Sequence, residues 1–205
     1  MSNTGRLFVI SAPSGAGKTT LVHGIMAADA SLKFSISYTT RDRRHNEVEG
    51  EAYHFVSKEQ FREMIDDNAF LEYAEVFDNF YGTPKKEVQS LLEQGSNVIL
   101  EIDWQGAQQV RRNMPDCESI FILPPSVTEL EKRLRGRATD SDDVIARRLA
   151  DSVADLGHWQ EFDYAVINDD IDGAVKTLQD ILKGGNTANK TAAPEIKAAV
   201  EQILS

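Results

Sequence analysis

An α/β fold, a parallel sheet flanked by helices with a mostly-β insertion, follows from three features of this 205-residue chain. Four apolar runs, at residues 7–10, 98–102, 120–123 and 164–167, lack the polar alternation of a half-exposed strand and read as strands covered on both faces. Helical patterns separate these runs, as in strand–helix–strand units. Residues 35–83 break the alternation, because Tyr53, Phe55, Phe70, Tyr73, Phe77, Phe80 and Tyr81 make a strand-prone segment around one short helix.

Along the chain, Leu7-Phe8-Val9-Ile10 leads into Ala12-Pro13-Ser14-Gly15-Ala16-Gly17-Lys18-Thr19 and then a helical stretch bearing Leu21, Val22, Ile25 and Met26. This is a phosphate-binding P-loop pattern. Its glycines let backbone N–H groups turn inward, Lys18 can reach the β/γ-phosphates, and the Thr19 hydroxyl can sit on Mg²⁺. Ala12 stands where the pattern has its first glycine.

In the insertion, Ser57 and Gln60 are spaced as a capping box for a helix with Phe61, Met64 and Ile65 facing inward. The next helix carries Val88, Leu91 and Leu92 on one face and stops at Gly95. The strand at 98–102 ends in Glu101 and Asp103, where P-loop proteins hold a carboxylate near the ion; Asp103 is the better placed. Ser126 and Glu129 read as a second capping box, before Leu130 and Leu134. Arg133, Arg135, Arg137, Arg147 and Arg148 flank a Gly-containing polar loop, which suits either a lid at about 134–147 or ordinary surface ion pairs. Trp104 and Trp159 read as core or wall residues. A polar, Gly-rich linker at 183–190 precedes a stripe of Ile196, Ala199, Val200, Ile203 and Leu204.

The net charge of −11 repels nucleic acid, so basic residues grouped at 41–44 and 132–137 point to a small anion instead. The closely spaced guanidiniums of Arg41 and Arg44, with the Tyr53 phenol, suit a phosphate monoester. Cys117 is the single cysteine, and His23, His45, His54 and His158 lack metal-ligand spacing, so the metal expected is Mg²⁺ arriving with a nucleotide. With no 18-residue apolar run and no secretory signal pattern, a cytoplasmic protein with no membrane partner is expected.

Taken in order and spacing, the P-loop, Ser37-Tyr38-Thr39-Thr40-Arg41-Asp42-Arg43-Arg44, Gly50-Glu51-Ala52-Tyr53, Phe70-Leu71-Glu72-Tyr73-Ala74, Tyr81-Gly82-Thr83, Asp103-Trp104-Gln105-Gly106, Pro124-Pro125-Ser126 and Ile167-Asn168-Asp169-Asp170 closely resemble the guanylate kinase family. The match runs from about residue 5 to about residue 183. Ala12 is usual in bacterial members, whereas many members have Asp at the position of Glu101.

The resemblance implies a P-loop kinase core at 1–34 and 84–184 with a helical lid at about 134–147, a GMP-binding lobe at 35–83, and a linker with an amphipathic helix at 185–205. It implies transfer of the γ-phosphate of ATP to GMP, and by extension dGMP, in purine nucleotide metabolism, with Mg²⁺ as cofactor. ATP would lie on Ala12, Pro13, Ser14, Gly15, Ala16, Gly17, Lys18 and Thr19, with Asn168 against the adenine. Glu72 would accept the adjacent N1–H and N2–H donors of guanine with Ser37 and Thr83 at the base; Arg41, Arg44, Tyr53 and Tyr81 would hold the GMP phosphate, and Asp103 joins the GMP set. Lys18, Arg133, Arg137 and Arg148 would supply catalytic charge. A homo-oligomer is left open. Two other readings compete: a non-catalytic module that binds partner peptides, which the intact Gly17-Lys18-Thr19 opposes, and a kinase for another base, which Ser37, Glu72 and Thr83 oppose.

Overall fold

The computed structural model describes residues 4–45, 47–76, 78–136 and 142–204. Phe77, and the part of the expected lid at 137–141, lie outside them. The chain runs β1 (Leu7–Ser11), α1 (Lys18–Ala28), β2 (Lys33–Phe34), β3 (Tyr38–Thr39), β4 (His54–Phe55), α2 (Lys58–Asp66), β5 (Phe70–Val76), β6 (Asn79–Pro84) and α3 (Lys85–Glu93). It continues with β7 (Val98–Glu101), α4 (Trp104–Asn113), β8 (Glu118–Leu123), α5 (Val127–Arg135), α6 (Asp142–Leu156), β9 (Tyr164–Ile167), α7 (Ile171–Leu182) and α8 (Pro194–Leu204).

The five-stranded sheet has the order β2-β7-β1-β8-β9. All five residues of β1 are buried, as the unbroken apolar run required. The two-residue β2 is the strand that periodicity could not reveal: Lys33 and Phe34 are both exposed, and only pairing with Val98 and Ile99 defines it. Two compact units divide the chain: Met1–Phe8, Ser31–Leu100 and Gln105–Cys117 in one, Val9–Ala30, Glu101–Trp104 and Glu118–Ser205 in the other.

In the first unit a four-stranded sheet has the order β4-β3-β6-β5, antiparallel except for the β3–β4 pair. The predicted capping box starts α2: Ser57 Oγ accepts from Gln60 N–H at 3.1 Å and Gln60 Oε1 accepts from Ser57 N–H at 3.0 Å. Phe61 from α2 is fully buried, stacked on Phe70 and Phe80 at 4.5 and 5.3 Å, whereas Met64 and Ile65 are half-buried. The exposed edge of β5 is covered by amides of α4, since Gln109 exchanges two hydrogen bonds with the Tyr73 backbone and Asn113 donates to Leu71 O. An edge satisfied this way presents fewer open groups to a foreign strand.

In the second unit β8 and β9 pair in parallel from Ile120↔Tyr164 to Leu123↔Ile167. The stretch at 183–190, read from composition as a linker, is anchored at its end. Tyr164 and Lys190 form an antiparallel bridge, Ala165 N–H donates to Asn189 O, and Asn189 Nδ2 donates to Ala165 O. The reason is that β9 is an edge strand whose backbone groups need partners, and the tail supplies them. Ile196, Val200 and Ile203 of α8 are buried within this unit, so the apolar stripe docks on its own chain. Among the described residues no helix is long and apolar enough to cross a membrane.

Candidate active site

The phosphate loop joins β1 to α1 in the second unit. Gly15 and Gly17 have φ of +90° and +96°, a region that strains residues with a Cβ. Gly17 is the N-cap of α1 and provides no side-chain cap, so the first N–H groups of the helix are left to an anion. A cavity of about 420 Å³ opens here, bordered by the loop and by Glu101, Asp103 and Asp155.

The polar groups around it are already held in place. Lys18 Nζ donates to Ile102 O at 2.8 Å, and Thr19 Oγ1 donates to Glu101 Oε1 at 2.5 Å. Glu101 therefore has a definite partner in the hydroxyl that the sequence assigned to the ion. From α6, Arg148 donates to Ser14 Oγ at 3.0 Å and Ser152 Oγ donates to Ser14 O at 3.1 Å. Asp155, one turn further, reaches the cavity, and burial pushes its pKa up while the Trp104 indole N–H, 2.8 Å from Oδ1, opposes that shift. The Trp104 ring is half-buried and stacks on His158 with centroids 3.5 Å apart, so it serves as a wall. Ser152 and Asp155 were not singled out from sequence. The signal was available in their spacing of four and seven residues from Arg148, which puts all three on one helical face.

Arg133 is held by Glu129 Oε1 at 3.2 Å and by the Asn168 carbonyl at 3.1 Å. This corrects the expected capping box: Ser126 Oγ does accept from Glu129 N–H at 3.0 Å, but the Glu129 carboxylate turns to Arg133 and Lys132 instead of back to Ser126 N–H. A guanidinium one turn away offers a charge-assisted bond that a neutral backbone N–H does not match. The Arg133 contact is also the leading cause of the lowered Glu129 pKa. Arg137 lies outside the described residues.

The expected GMP residues lie in the first unit, except Asp103, which borders the phosphate cavity. Glu72 and Thr83 sit directly opposite in the β5–β6 register, and Thr83 Oγ1 donates to Glu72 Oε1 at 2.5 Å. Both are nearly sealed from water, with Glu72 6% exposed. Arg41 forms a second cluster: it pairs with Glu47 at 2.8 Å and lies over the Tyr53 ring at 5.6 Å, with Tyr53 packed edge-on against Tyr81. Glu47 is the first cause of the raised Arg41 pKa, and Arg41 in turn holds the Glu47 carboxyl below its usual range. Arg44 contributes its backbone N–H to Glu47 at 2.9 Å while its side chain is exposed, and half-buried Ser37 accepts from His54 N–H through its carbonyl. Glu47, which organises this loop, was hidden in the sequence among many surface acids.

A parallel α/β sheet whose first strand feeds a P-loop, with a lysine and carboxylates lining one cavity and Arg148 bonded to the loop, defines a phosphate-transferring P-loop protein. Residues 4–184 match the family model for guanylate kinase. The guanylate kinase of Hydrogenovibrio crunogenus is 54% identical over 184 residues, covering 90% of each chain, and that of Escherichia coli is 50% identical over 203 residues, covering 98% of each. The crystal structure of guanylate kinase from Anaplasma phagocytophilum is similar in fold, with a TM-score of 0.70 and 30% identity over 98% of this chain and 95% of that one. The chain belongs to the guanylate kinase family.

Proposed function

We propose a division of labour for the reaction of this family, transfer of the γ-phosphate of ATP to GMP to give ADP and GDP. The observation that carries it is the sealed Glu72–Thr83 pair. A carboxylate can accept two adjacent donors through its two oxygens, which guanine presents as N1–H and N2–H and adenine does not. Glu72 is the base reader, with Thr83 and Ser37 beside the base. Arg41 and Arg44, with Tyr53 and Tyr81, take the GMP phosphate by planar guanidinium forks and phenol hydroxyls. The lobe at 35–83 thus serves GMP or dGMP, and the loop from Ala12 to Thr19 serves ATP.

The attacking group is a phosphate oxygen, ionised near neutral pH, so the site needs no general base. Its work is to position and to balance developing charge. Lys18, Arg133 and Arg148 supply that charge in the second unit, and Arg137 joins them from the lid at about 134–147. Phosphoryl transfer from ATP generally requires a divalent metal, and here we assign Mg²⁺. The hydroxyl of Thr19 and the carboxylates of Glu101 and Asp103 are hard oxygen donors that fit it. Among the described residues no cluster of three His, Cys, Asp or Glu side chains could hold an ion alone, which favours one delivered with the nucleotide phosphates. When bound, Mg²⁺ would offset the negative charge of the phosphates. ATP-dependent ADP release measured against a panel of nucleoside monophosphates tests the reading: GMP and dGMP should be the best substrates, and a preference for AMP, UMP or CMP would overturn it.

A further inference from the structure

Glu72 stands between two residues of β5 whose backbone is held from outside the sheet. Tyr73 N–H donates to Gln109 Oε1 at 3.1 Å, Gln109 Nε2 donates to Tyr73 O at 2.9 Å, and Asn113 Nδ2 donates to Leu71 O at 2.6 Å. Both amides come from α4, and they lie with β5 and β6 in the first unit. Their spacing suits the task. Four residues of helix advance about 6 Å and two residues of strand about 6.7 Å, so amides one turn apart can meet alternate residues of a strand. Consecutive residues of an antiparallel strand turn their backbone groups alternately to its two sides. Leu71 and Tyr73 thus face α4, while Glu72 faces β6, where it pairs with Thr83. The β5–β6 register shifts between Phe70 and Glu72, and such an irregularity re-aims a side chain while disrupting the ladder. β5 is also the edge of its sheet, so this stretch has one strand partner, an irregular one, and depends on α4 for its placement.

We infer that Gln109 and Asn113 are positioning residues for the choice of acceptor base: they hold β5 on both sides of Glu72, which rests on the base-reading role proposed for that carboxylate. Gln109 imitates a residue of a neighbouring strand, because it gives and takes a hydrogen bond at Tyr73 as a paired residue would. Two bonds at one residue fix the rotation of the strand as well as its distance. Both polar atoms of the Gln109 side chain are engaged with Tyr73, so it acts on Glu72 through the strand. Placement matters more for selecting a base than for attracting one. Hydrogen bonds weaken steeply as they bend, so a carboxylate on a rocking strand keeps its charge but loses the alignment that lets two oxygens meet two donors at once.

The test compares GMP with inosine monophosphate, whose base keeps N1–H but lacks the amino group that supplies the second donor. Selectivity, the ratio of kcat/KM for the two, would be measured on the full chain and four variants: Gln109→Met, which keeps the side-chain length and removes its hydrogen bonds, Asn113→Ala, Glu72→Gln, and Gln109→Met combined with Glu72→Gln. Gln109→Met should lower the ratio about fivefold or more, Asn113→Ala should lower it less, and KM for ATP should stay within about twofold in both. Reduced thermal stability with an unchanged ratio in both variants would show that the amides only secure the fold, and would overturn the inference. The combined variant should be no less selective than Glu72→Gln alone, since Gln109 acts through that carboxylate; a further loss of selectivity would also overturn it. Glu72→Gln separates the two layers: if it leaves the ratio unchanged, base reading by Glu72 falls and this inference with it. If it lowers the ratio while the variants at 109 and 113 do not, the inference falls alone. Should both of those variants fail to fold, hydrogen exchange at the Tyr73 N–H of the unmodified protein decides. Coupling is reciprocal, so GMP should slow that exchange more than inosine monophosphate does at equal saturation, and equal rates would overturn the inference.

Discussion

The phosphate loop and the lobe with Glu72 hold their polar groups by different means. Around the loop, three side chains rest on backbone carbonyls, Lys18 on Ile102, Ser152 on Ser14 and Asn168 on Ala16, beside the side-chain pairs Thr19–Glu101 and Arg148–Ser14. In the lobe, side chain meets side chain, Thr83 on Glu72 and Arg41 on Glu47. A backbone-built site fits any phosphate, because its N–H donors do not depend on side-chain identity. A side-chain site can tell one base from another. The loop is therefore expected to govern the rate of transfer, and the lobe the choice of acceptor.

The largest effect expected is on the loop. Lys18→Ala should lower kcat about 10³-fold or more, roughly 4 kcal/mol in the barrier, with an unchanged circular dichroism spectrum. Near-normal turnover in the folded variant would break the comparison, since neither region would then govern rate. Next come the lobe arginines, which the structure ranks. Arg41 has a side chain 18% exposed and sits among Glu47, Tyr53 and Tyr81, whereas the Arg44 side chain is exposed. Arg41→Ala should raise KM for GMP more than Arg44→Ala, by about 2 kcal/mol or more when the phosphate is left unpaired, and both should change KM for ATP little. Equal losses for the two nucleotides would show that the lobe arginines serve both.

Glu72→Gln should reduce the preference for GMP over other nucleoside monophosphates by about tenfold in kcat/KM, because an amide offers only one acceptor oxygen. Steady-state ratios across the same monophosphate panel give the answer, and an unchanged ratio would remove Glu72 from base reading.

The smallest effect expected is in pH dependence, where the two regions should respond in opposite directions. Glu47 has a folded pKa depressed by Arg41, so its contribution to stability is present above the ordinary carboxylate value and is lost as pH falls through the depressed one. Asp155 has a folded pKa raised by burial, so its contribution is present below the ordinary value and is lost as pH rises through the raised one. Glu47→Gln should lower Tm at neutral pH but not at acid pH, and Asp155→Asn should raise Tm at neutral pH relative to acid, each by on the order of 1–3 °C. Shifts of the same sign in thermal melts across pH 3 to 7 would mean that one of these carboxyls is held by something other than its named neighbours.

Much of this was legible from sequence because it is local. The strand-to-helix turn with its glycines, the Ser57–Gln60 box, and the buried β1, β7, β8 and β9 each depend on residues within a few positions of one another. Tertiary structure decided what lies far apart in the chain or has several partners to choose from. Thr83 meets Glu72 only because the β5–β6 register sets them opposite. Asn168 reaches Ala16 across 152 positions, and Glu129 takes Arg133 in place of its own N-cap. The polar stretch at 183–190 carries the composition of a free linker, yet its end is fixed by the unpaired edge of β9. Composition and spacing report how a segment behaves when only its neighbours and water surround it, whereas these pairings follow from which donors and acceptors the folded chain brings within reach.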